Sequence, residues 1–178
     1  MVDPEKFPTN GSMPIKPLID GGGHENGLRS GTENVPAIVG FGAACALASR
    51  RLQSLAEHTA RLRDRIETGL LESGAIVFGA AAPRIPNTTY FAFENIDGES
   101  LVIELNKAGF SVASGSACSS TSTEPSATLL AMGVEPDLAR GAVRVSLGAE
   151  NTEQQARAFL TAVAQVVDRL RRMTAVAV

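Results

Sequence analysis

In Ala142-Val143-Arg144-Val145-Ser146-Leu147, apolar and polar residues alternate over most of the stretch, which predicts a strand with one buried face. Similar short strand signals occur over residues 75–79, 88–93 and 110–113. A turn from Pro83 to Pro86 separates the first two of these, and the later segments between strands have apolar residues at helical spacing. Short strands interleaved with helices predict an α+β fold, in which helices pack on one face of a small mixed or antiparallel sheet.

A long helix is predicted to precede this sheet, from Pro36 to about Glu72. Its apolar residues recur at helical steps, which is typical of one buried face; they are Leu52, Leu55, Leu62, Ile66 and Leu70. Later helices are predicted over residues 97–108, from Pro125 to about 132, and after a capping box of Thr152 and Gln155. We therefore divide the chain into an extended leader with a glycine-rich loop, residues 1–35, and one folded domain, residues 36–178.

The composition bounds the class of protein. The chain has 178 residues, 44% of them apolar, which is enough for one sizeable core. A net charge of -3 and only 4% aromatic residues argue against a nucleic-acid partner. No apolar run approaches the roughly 20 residues of a membrane span, so no membrane partner is expected. Two cysteines in different settings form no disulfide framework and favour a reducing, cytoplasmic compartment.

Cys118 is the candidate nucleophile. It lies in the small-residue loop Ala113-Ser114-Gly115-Ser116-Ala117-Cys118-Ser119-Ser120, where no bulky neighbour covers the thiol. The thiolate form of such an accessible cysteine is nucleophilic. From composition alone, a tight connection with a small buried cysteine is the alternative interpretation. Cys45, among small residues of the predicted long helix, is expected only to pack.

Two further segments carry candidate binding residues. The glycine-rich stretch ends in Arg29-Ser30-Gly31-Thr32 just before the long helix, where a hydroxyl, a guanidinium and backbone N–H groups favour an anion. A turn with positive-φ glycines is the alternative. Arg144 stands in an otherwise apolar strand, where its best partner is a carboxylate, either a substrate's or one of this protein's own acids. Neither His24 nor His58 belongs to a cluster with zinc spacing, so no metal site is predicted.

Four motifs occur together in this chain from about Pro14 to about Arg172. They are Gly21-Gly22-Gly23-His24-Glu25-x-Gly27-x-Arg29-Ser30-Gly31-Thr32, Ser114-Gly115-Ser116-Ala117-Cys118, Glu124-Pro125-Ser126 and Val143-Arg144-Val145-Ser146-Leu147-Gly148. In their order and spacing they resemble cysteine desulfurases of the NifS/IscS type, which are pyridoxal-phosphate enzymes of aminotransferase class V. The resemblance implies the C-terminal small domain of a fold-type I enzyme, and the cysteine segment is more similar to the IscS group than to the SufS group.

The resemblance implies a role for each candidate residue. Cys118 corresponds to the cysteine that takes sulfur from L-cysteine as a persulfide, with L-alanine as the other product. Arg144 corresponds to the arginine that binds the substrate carboxylate. Thr32 corresponds to a threonine that reaches the cofactor phosphate of the neighbouring subunit in a homodimer. The sulfur would then pass to an acceptor such as an iron–sulfur scaffold protein, for iron–sulfur cluster or thio-cofactor assembly.

The chain departs from the family pattern in its first part. The Ser-x-His-Lys segment, whose lysine forms the Schiff base in the family, has no counterpart around Lys6 or Lys16. We therefore expect that this chain alone does not hold pyridoxal phosphate, and that activity needs a missing cofactor domain or a partner chain. Two alternatives stay open: a non-catalytic persulfide relay or interaction module, and an inactive truncated relic.

Overall fold

The computed structural model describes residue 19, residues 21–115 and residues 125–176. The chain divides into two compact units, Met1–Arg50 and Arg51–Val178. This boundary falls inside the long helix, whereas the sequence suggests a division after residue 35. The assignment of residues 1–35 and 36–178 to separate parts stays a prediction.

In the first unit, a glycine-rich loop leads into the long helix α1, Val35–Glu72. A short 3-10 turn, Glu25–Gly27, interrupts the loop. Asn34 caps the start of α1, since its side-chain oxygen accepts a hydrogen bond of 3.2 Å from the Ala37 N–H. At the other end of α1, Gly74 takes a left-handed conformation with φ +83°. The long helix predicted from the sequence is therefore confirmed.

Among the described residues, the second unit contains a four-stranded antiparallel sheet and the helices that follow α1. The strands are β1 (Ile76–Val77), β2 (Thr88–Ala92), β3 (Ala113–Ser114) and β4 (Val143–Ser146), in the order β1-β2-β4-β3. The helices are α2 (Gly98–Lys107), α3 (Ala127–Ala131), α4 (Pro136–Arg140) and α5 (Glu153–Val176). The predicted α+β class and the antiparallel sheet are confirmed.

Two predicted elements shift for local reasons. Residues 110–112 do not join a strand, because the Phe110 N–H bonds to the Leu105 carbonyl at 2.9 Å and closes the end of α2. The helix expected from Pro125 begins two residues later, because Ser126 is its N-cap and accepts a hydrogen bond of 3.4 Å from the Leu129 N–H. The sequence does not predict α4 at all, since so short a helix has no room for a periodic apolar pattern.

Two hydrophobic clusters lie on opposite faces of the sheet, because neighbouring residues of a strand point to opposite sides. Phe91 and Val143 belong to the larger cluster, together with buried residues of α1, α2 and α5: Leu62, Ile66, Leu70, Leu101, Leu105, Phe159, Val163 and Val167. Ala92 and Ala142 belong to the smaller cluster, which Leu129 of α3 and Ala139 of α4 complete. The long helices therefore share one face, as predicted, and two short helices cover part of the other.

The first half of α1 is exposed. Phe41, in the first unit, is 73% exposed, and Leu52, in the second unit, is 68% exposed, although Leu52 lies on the helical face that buries Ile66 further along. By length and composition α1 could cross a membrane, and none of the residues in its most apolar stretch is buried. Helix α1 therefore corrects the expectation that no apolar run approaches the length of a membrane span. Core helices of water-soluble proteins can have the same length and composition. Cys45 is exposed as well, so the expectation that it packs is wrong, because the described buried residues of α1 begin only at Thr59.

Candidate functional site

Arg144 is exposed on the face of the sheet that carries the smaller cluster. Strand β4 alternates between buried and exposed residues, so the burial of Val143 and Val145 in the larger cluster points Arg144 to the other side. In register, Arg144 lies between Tyr90 of β2 and Ala113 of β3. None of the ion pairs found among the described residues includes its guanidinium. Within that part of the chain it is open to a carboxylate from elsewhere.

Gly115 connects this face to the segment that contains Cys118. Its N–H donates a hydrogen bond of 2.8 Å to the Ala142 carbonyl, which continues the pairing of β3 with β4. A Cβ placed on Gly115 would lie only 2.3 Å from the Tyr90 hydroxyl oxygen and 3.2 Å from the Ala142 Cβ. The backbone therefore passes against Tyr90 at the last described residue before 116–124. Cys118 lies outside the described residues, so its role as the nucleophile stays a prediction.

Thr32 is exposed in the first unit, in a loop that its own side chains hold together. Arg29 Nη1 donates to the carbonyl oxygens of Gly31 and Thr32 at 3.0 and 2.8 Å. Gly31 has φ +92°, a conformation that favours glycine. The turn with positive-φ glycines is therefore present, and part of the Arg29 guanidinium holds the loop. The Thr32 side chain is exposed, and its contact with a cofactor phosphate stays a prediction.

Both histidines have structural partners. In the first unit, His24 Nδ1 lies 2.9 Å from Glu33 Oε1. A backbone hydrogen bond is the main cause that lowers the pKa of Glu33, and the hydrogen bond with His24 lowers it further. In the second unit, His58 Nε2 lies 2.9 Å from the Asn151 carbonyl oxygen and so ties α1 to the chain just before α5. The described residues contain no group of three or more His, Cys, Asp or Glu side chains that could hold a metal ion.

The fold, the sheet face and the glycine-rich loop agree with one family. Residues 6–159 match aminotransferase class V, and the chain belongs to that family. Within it, the chain is similar to cysteine desulfurases. A cysteine desulfurase of Gluconacetobacter diazotrophicus is 44% identical over 162 residues, which are 90% of this chain and 40% of the relative. Cysteine desulfurase IscS 1 of Archaeoglobus fulgidus is 41% identical over 161 residues, or 90% of this chain and 42% of the relative.

A solved structure supports the same relationship. A NifS-like protein superposes with a TM-score of 0.76 at 37% sequence identity, over 90% of this chain and 41% of that chain. The chain thus spans about 40% of the length of the curated relatives that it matches. The resemblance to the NifS/IscS type is confirmed, and the structure is that of part of a fold-type I enzyme.

The family depends on pyridoxal phosphate, and the described residues fit only one end of that cofactor. Thr32 and its loop are suited to the phosphate. A Schiff base needs a lysine whose neutral amine can attack. Lys107 is the lysine in the described part of the chain, and it is exposed on α2 with Nζ 2.7 Å from Glu104 Oε1. An exposed, ion-paired ammonium does not fit the Schiff-base position.

Tyr90 is a residue of this face that the sequence analysis does not predict. Tyr90 lies in a stretch that the sequence marks only by its strand propensity. In the sequence, 53 residues lie between Tyr90 and Arg144, and only the sheet register pairs the two. One signal was available, since Tyr90 is the single tyrosine of a chain without tryptophan. The rarity of tyrosine makes Tyr90 noticeable in the sequence, but it does not show that Arg144 is its neighbour in the sheet.

Proposed function

We propose that this chain supplies the sulfur-accepting and carboxylate-binding part of a cysteine desulfurase. The observation that carries the proposal is the position of Arg144, exposed on a sheet face and without a carboxylate partner among the described residues. The same face ends at Gly115, three residues before Cys118 in the sequence. The names of the relatives supply the reaction class.

The proposed reaction transfers sulfur from L-cysteine to Cys118. The Cys118 thiolate attacks the sulfur of the substrate, a sulfur–sulfur bond forms, and the carbon–sulfur bond of L-cysteine breaks. The electron pair of the broken carbon–sulfur bond and the proton of the substrate thiol go to the substrate carbon. The substrate then leaves as L-alanine, and Cys118 carries the persulfide. Thr32 would contact the phosphate of pyridoxal phosphate, and the bound cofactor would supply the electron sink that the cleavage of the carbon–sulfur bond needs.

Arg144 would bind the substrate carboxylate. A guanidinium donates two parallel hydrogen bonds to a carboxylate, which fixes both its position and its orientation. In the sheet register, the short side chain of Ala113 is the neighbour of Arg144 on one side and Tyr90 is its neighbour on the other. A substrate bound in this way stays on the face from which the chain runs towards Cys118.

The remainder of the site would come from a cofactor-bearing domain or from the partner in a homodimer. The exposed half of α1 supports this, because Ile38, Phe41 and Leu52 are each more than half exposed. Apolar surface of this kind marks a protein contact. Thr32, which precedes α1, would then reach the cofactor phosphate of the neighbouring subunit. We further propose an iron–sulfur scaffold protein as the sulfur acceptor and the cytoplasm as the compartment; the name IscS of one relative supports the acceptor.

A chimera tests this function. Residues 14–172 of this chain replace the matching part of the Gluconacetobacter diazotrophicus desulfurase, and release of alanine from L-cysteine is measured. We expect activity in the chimera, its loss with Cys118→Ser, and its retention with the control Cys45→Ser. Arg144→Ala should raise KM for L-cysteine by about 10- to 150-fold, since a bidentate ion pair contributes roughly 1.5–3 kcal/mol, whereas the control Arg157→Ala should not. Full activity of the Cys118→Ser chimera would contradict the proposal.

A persulfide relay is the second candidate, and it is favoured by the exposed, ion-paired state of Lys107. The chain would then accept sulfur on Cys118 from a separate, complete desulfurase and pass it on. Mass spectrometry of the isolated chain, incubated with such an enzyme and L-cysteine, should show one added sulfur on Cys118 and none on the Cys118→Ser variant. A chain that aggregates and takes up no sulfur in either assay would favour the inactive relic.

A further inference from the structure

We propose that Tyr90 is a positioning residue of this site. Tyr90 requires glycine at position 115 and thereby sets where the chain leaves the sheet beside Arg144. The functional part of this inference rests on the proposed desulfurase activity. The contact itself does not, because it is a property of the sheet.

The contact is too close for any other residue at position 115. A Cβ on Gly115 would lie 2.3 Å from the Tyr90 hydroxyl oxygen and 3.3 Å from the Tyr90 Cζ, well inside van der Waals distance. Gly115 is not among the glycines with positive φ. The backbone conformation would therefore accept alanine, and the obstacle at this position is the tyrosine ring.

Neighbouring residues hold both sides of the contact. The Tyr90 ring packs against the smaller cluster, in which Ala92 and Ala142 are fully buried. It also meets the Phe78 ring edge to face, with the centroids 5.7 Å apart. On the other side, the Gly115 N–H is held by the Ala142 carbonyl at 2.8 Å. A side chain at position 115 must therefore displace the β3 backbone or the ring.

This contact links the two functional candidates of the second unit. Tyr90 is the register partner of Arg144 across β2 and β4, and its hydroxyl lies against Gly115, the last described residue before the segment that contains Cys118. A displacement at Gly115 changes the point from which that segment starts, relative to the bound carboxylate. Transfer between two reacting groups is sensitive to such shifts, since a misplacement of about 1 Å costs up to about 100-fold in rate.

A rescue cycle tests the proposal in the Cys45→Ser background, so that Cys118 is the single thiol. The variants are Gly115→Ala, Tyr90→Phe and the two combined, with Gly148→Ala as the matched control, because a Cβ there meets only Asn151 Oδ1 at 3.9 Å. Two measurements apply to the chain itself: the rate of Cys118 alkylation by iodoacetamide, and the fluorescence of Tyr90, which is the single tyrosine in a chain without tryptophan. A third measurement is sulfur transfer to Cys118 in the chimera.

We expect Gly115→Ala to change the Tyr90 fluorescence and the alkylation rate, and to slow sulfur transfer by about 10- to 100-fold. Tyr90→Phe removes the oxygen at the closest approach and leaves the 3.3 Å contact with the ring carbon Cζ, so it should move the alkylation and transfer rates of Gly115→Ala part of the way back to those of the parent. If Gly115→Ala does not fold, we expect the double variant to recover a cooperative thermal unfolding transition, which would show the rescue by Tyr90→Phe.

Two results would overturn the proposal: Gly115→Ala behaving like Gly148→Ala, or Tyr90→Phe failing to rescue it. A chimera that transfers no sulfur even with Tyr90 and Gly115 intact would instead refute the proposed function. The alkylation and fluorescence results would still decide whether the contact acts as stated.

Discussion

Arg84 and Glu67 form a two-point ion pair that fastens the loop between β1 and β2 to α1. Arg84 Nη1 and Nη2 donate to Glu67 Oε1 and Oε2 at 2.5 and 2.6 Å. The Glu67 side chain is only 10% exposed and that of Arg84 21%. Burial opposes the ionisation of Glu67, but the hydrogen bonds and charge of Arg84 outweigh it, so the pKa of Glu67 lies below its usual value.

Glu67→Gln should destabilise the chain by about 1.5–3 kcal/mol at neutral pH, because it leaves a half-buried guanidinium without its charged partner. The pKa of Glu67 is lower in the folded chain than in the unfolded chain. The pair therefore stabilises the fold fully above the unfolded pKa, and this stabilisation is lost as the pH falls through the folded pKa. Urea unfolding from pH 7 to pH 3 should show a smaller loss of stability on acidification in Glu67→Gln. The control is Glu72→Gln, an exposed acid at the end of the same helix, and equal acid sensitivity in all three proteins would contradict the assignment.

Gly98→Ala should destabilise the second unit by about 1–3 kcal/mol through overpacking. A Cβ on Gly98 would lie 2.7 Å from the Arg140 carbonyl oxygen and 3.0 Å from the Gly141 carbonyl carbon. These are backbone atoms, so no side chain can rotate away to relieve the contact. Thermal unfolding followed by circular dichroism measures the effect. Gly148→Ala, whose Cβ would have an ordinary contact, should melt like the parent chain, and an unchanged melting temperature for Gly98→Ala would show that the α2–α4 contact is looser than described.

The isolated chain should self-associate through the exposed half of α1. Ile38 and Phe41, three positions apart in the first unit, lie on one face of that half and are largely exposed. Replacing both by serine should shift the sedimentation coefficient at micromolar concentration towards that of a monomer. Leu71→Ser, at a position 56% exposed in the second unit of the same helix, is the matched control. A monomeric parent chain, or equal effects of the two changes, would rule this surface out.

Pyridoxal phosphate should not form a stable Schiff base with the isolated chain. Lys107 is exposed on α2, and its side chain pairs with the Glu104 carboxylate. After incubation with pyridoxal phosphate, borohydride reduction and mass spectrometry should detect no stoichiometric adduct. A single adduct that the Lys107→Ala variant loses would show that this lysine is a cofactor site after all.

The sequence predicts most of the fold because its signals are local. Helix α1 follows from the spacing of Leu62, Ile66 and Leu70, and all three are buried. The capping box also forms: Gln155 N–H donates to Thr152 Oγ1 at 3.2 Å, and Thr152 N–H donates to Gln155 Oε1 at 3.0 Å. Periodicity and capping depend on residues a few positions apart, so both can be recognised in the sequence itself.

The same local reasoning is wrong where burial depends on the rest of the molecule. Cys45 lies among small apolar residues of a correctly predicted helix, yet it is exposed. Helical spacing shows which residues share a face, but it does not show whether another element covers that face. The exposed half of α1 is therefore a result of the tertiary structure.

The sequence by itself determined the family, the α-helices other than α4, the strand that carries Arg144 and the candidates Cys118 and Thr32, because motifs and periodicity are written in the order of residues. Only the tertiary structure decided that Tyr90 is the cross-strand neighbour of Arg144 and that Gly115 lies against its hydroxyl. The physical reason is strand register: hydrogen bonds between distant segments choose which residues face each other, and no local pattern encodes that choice.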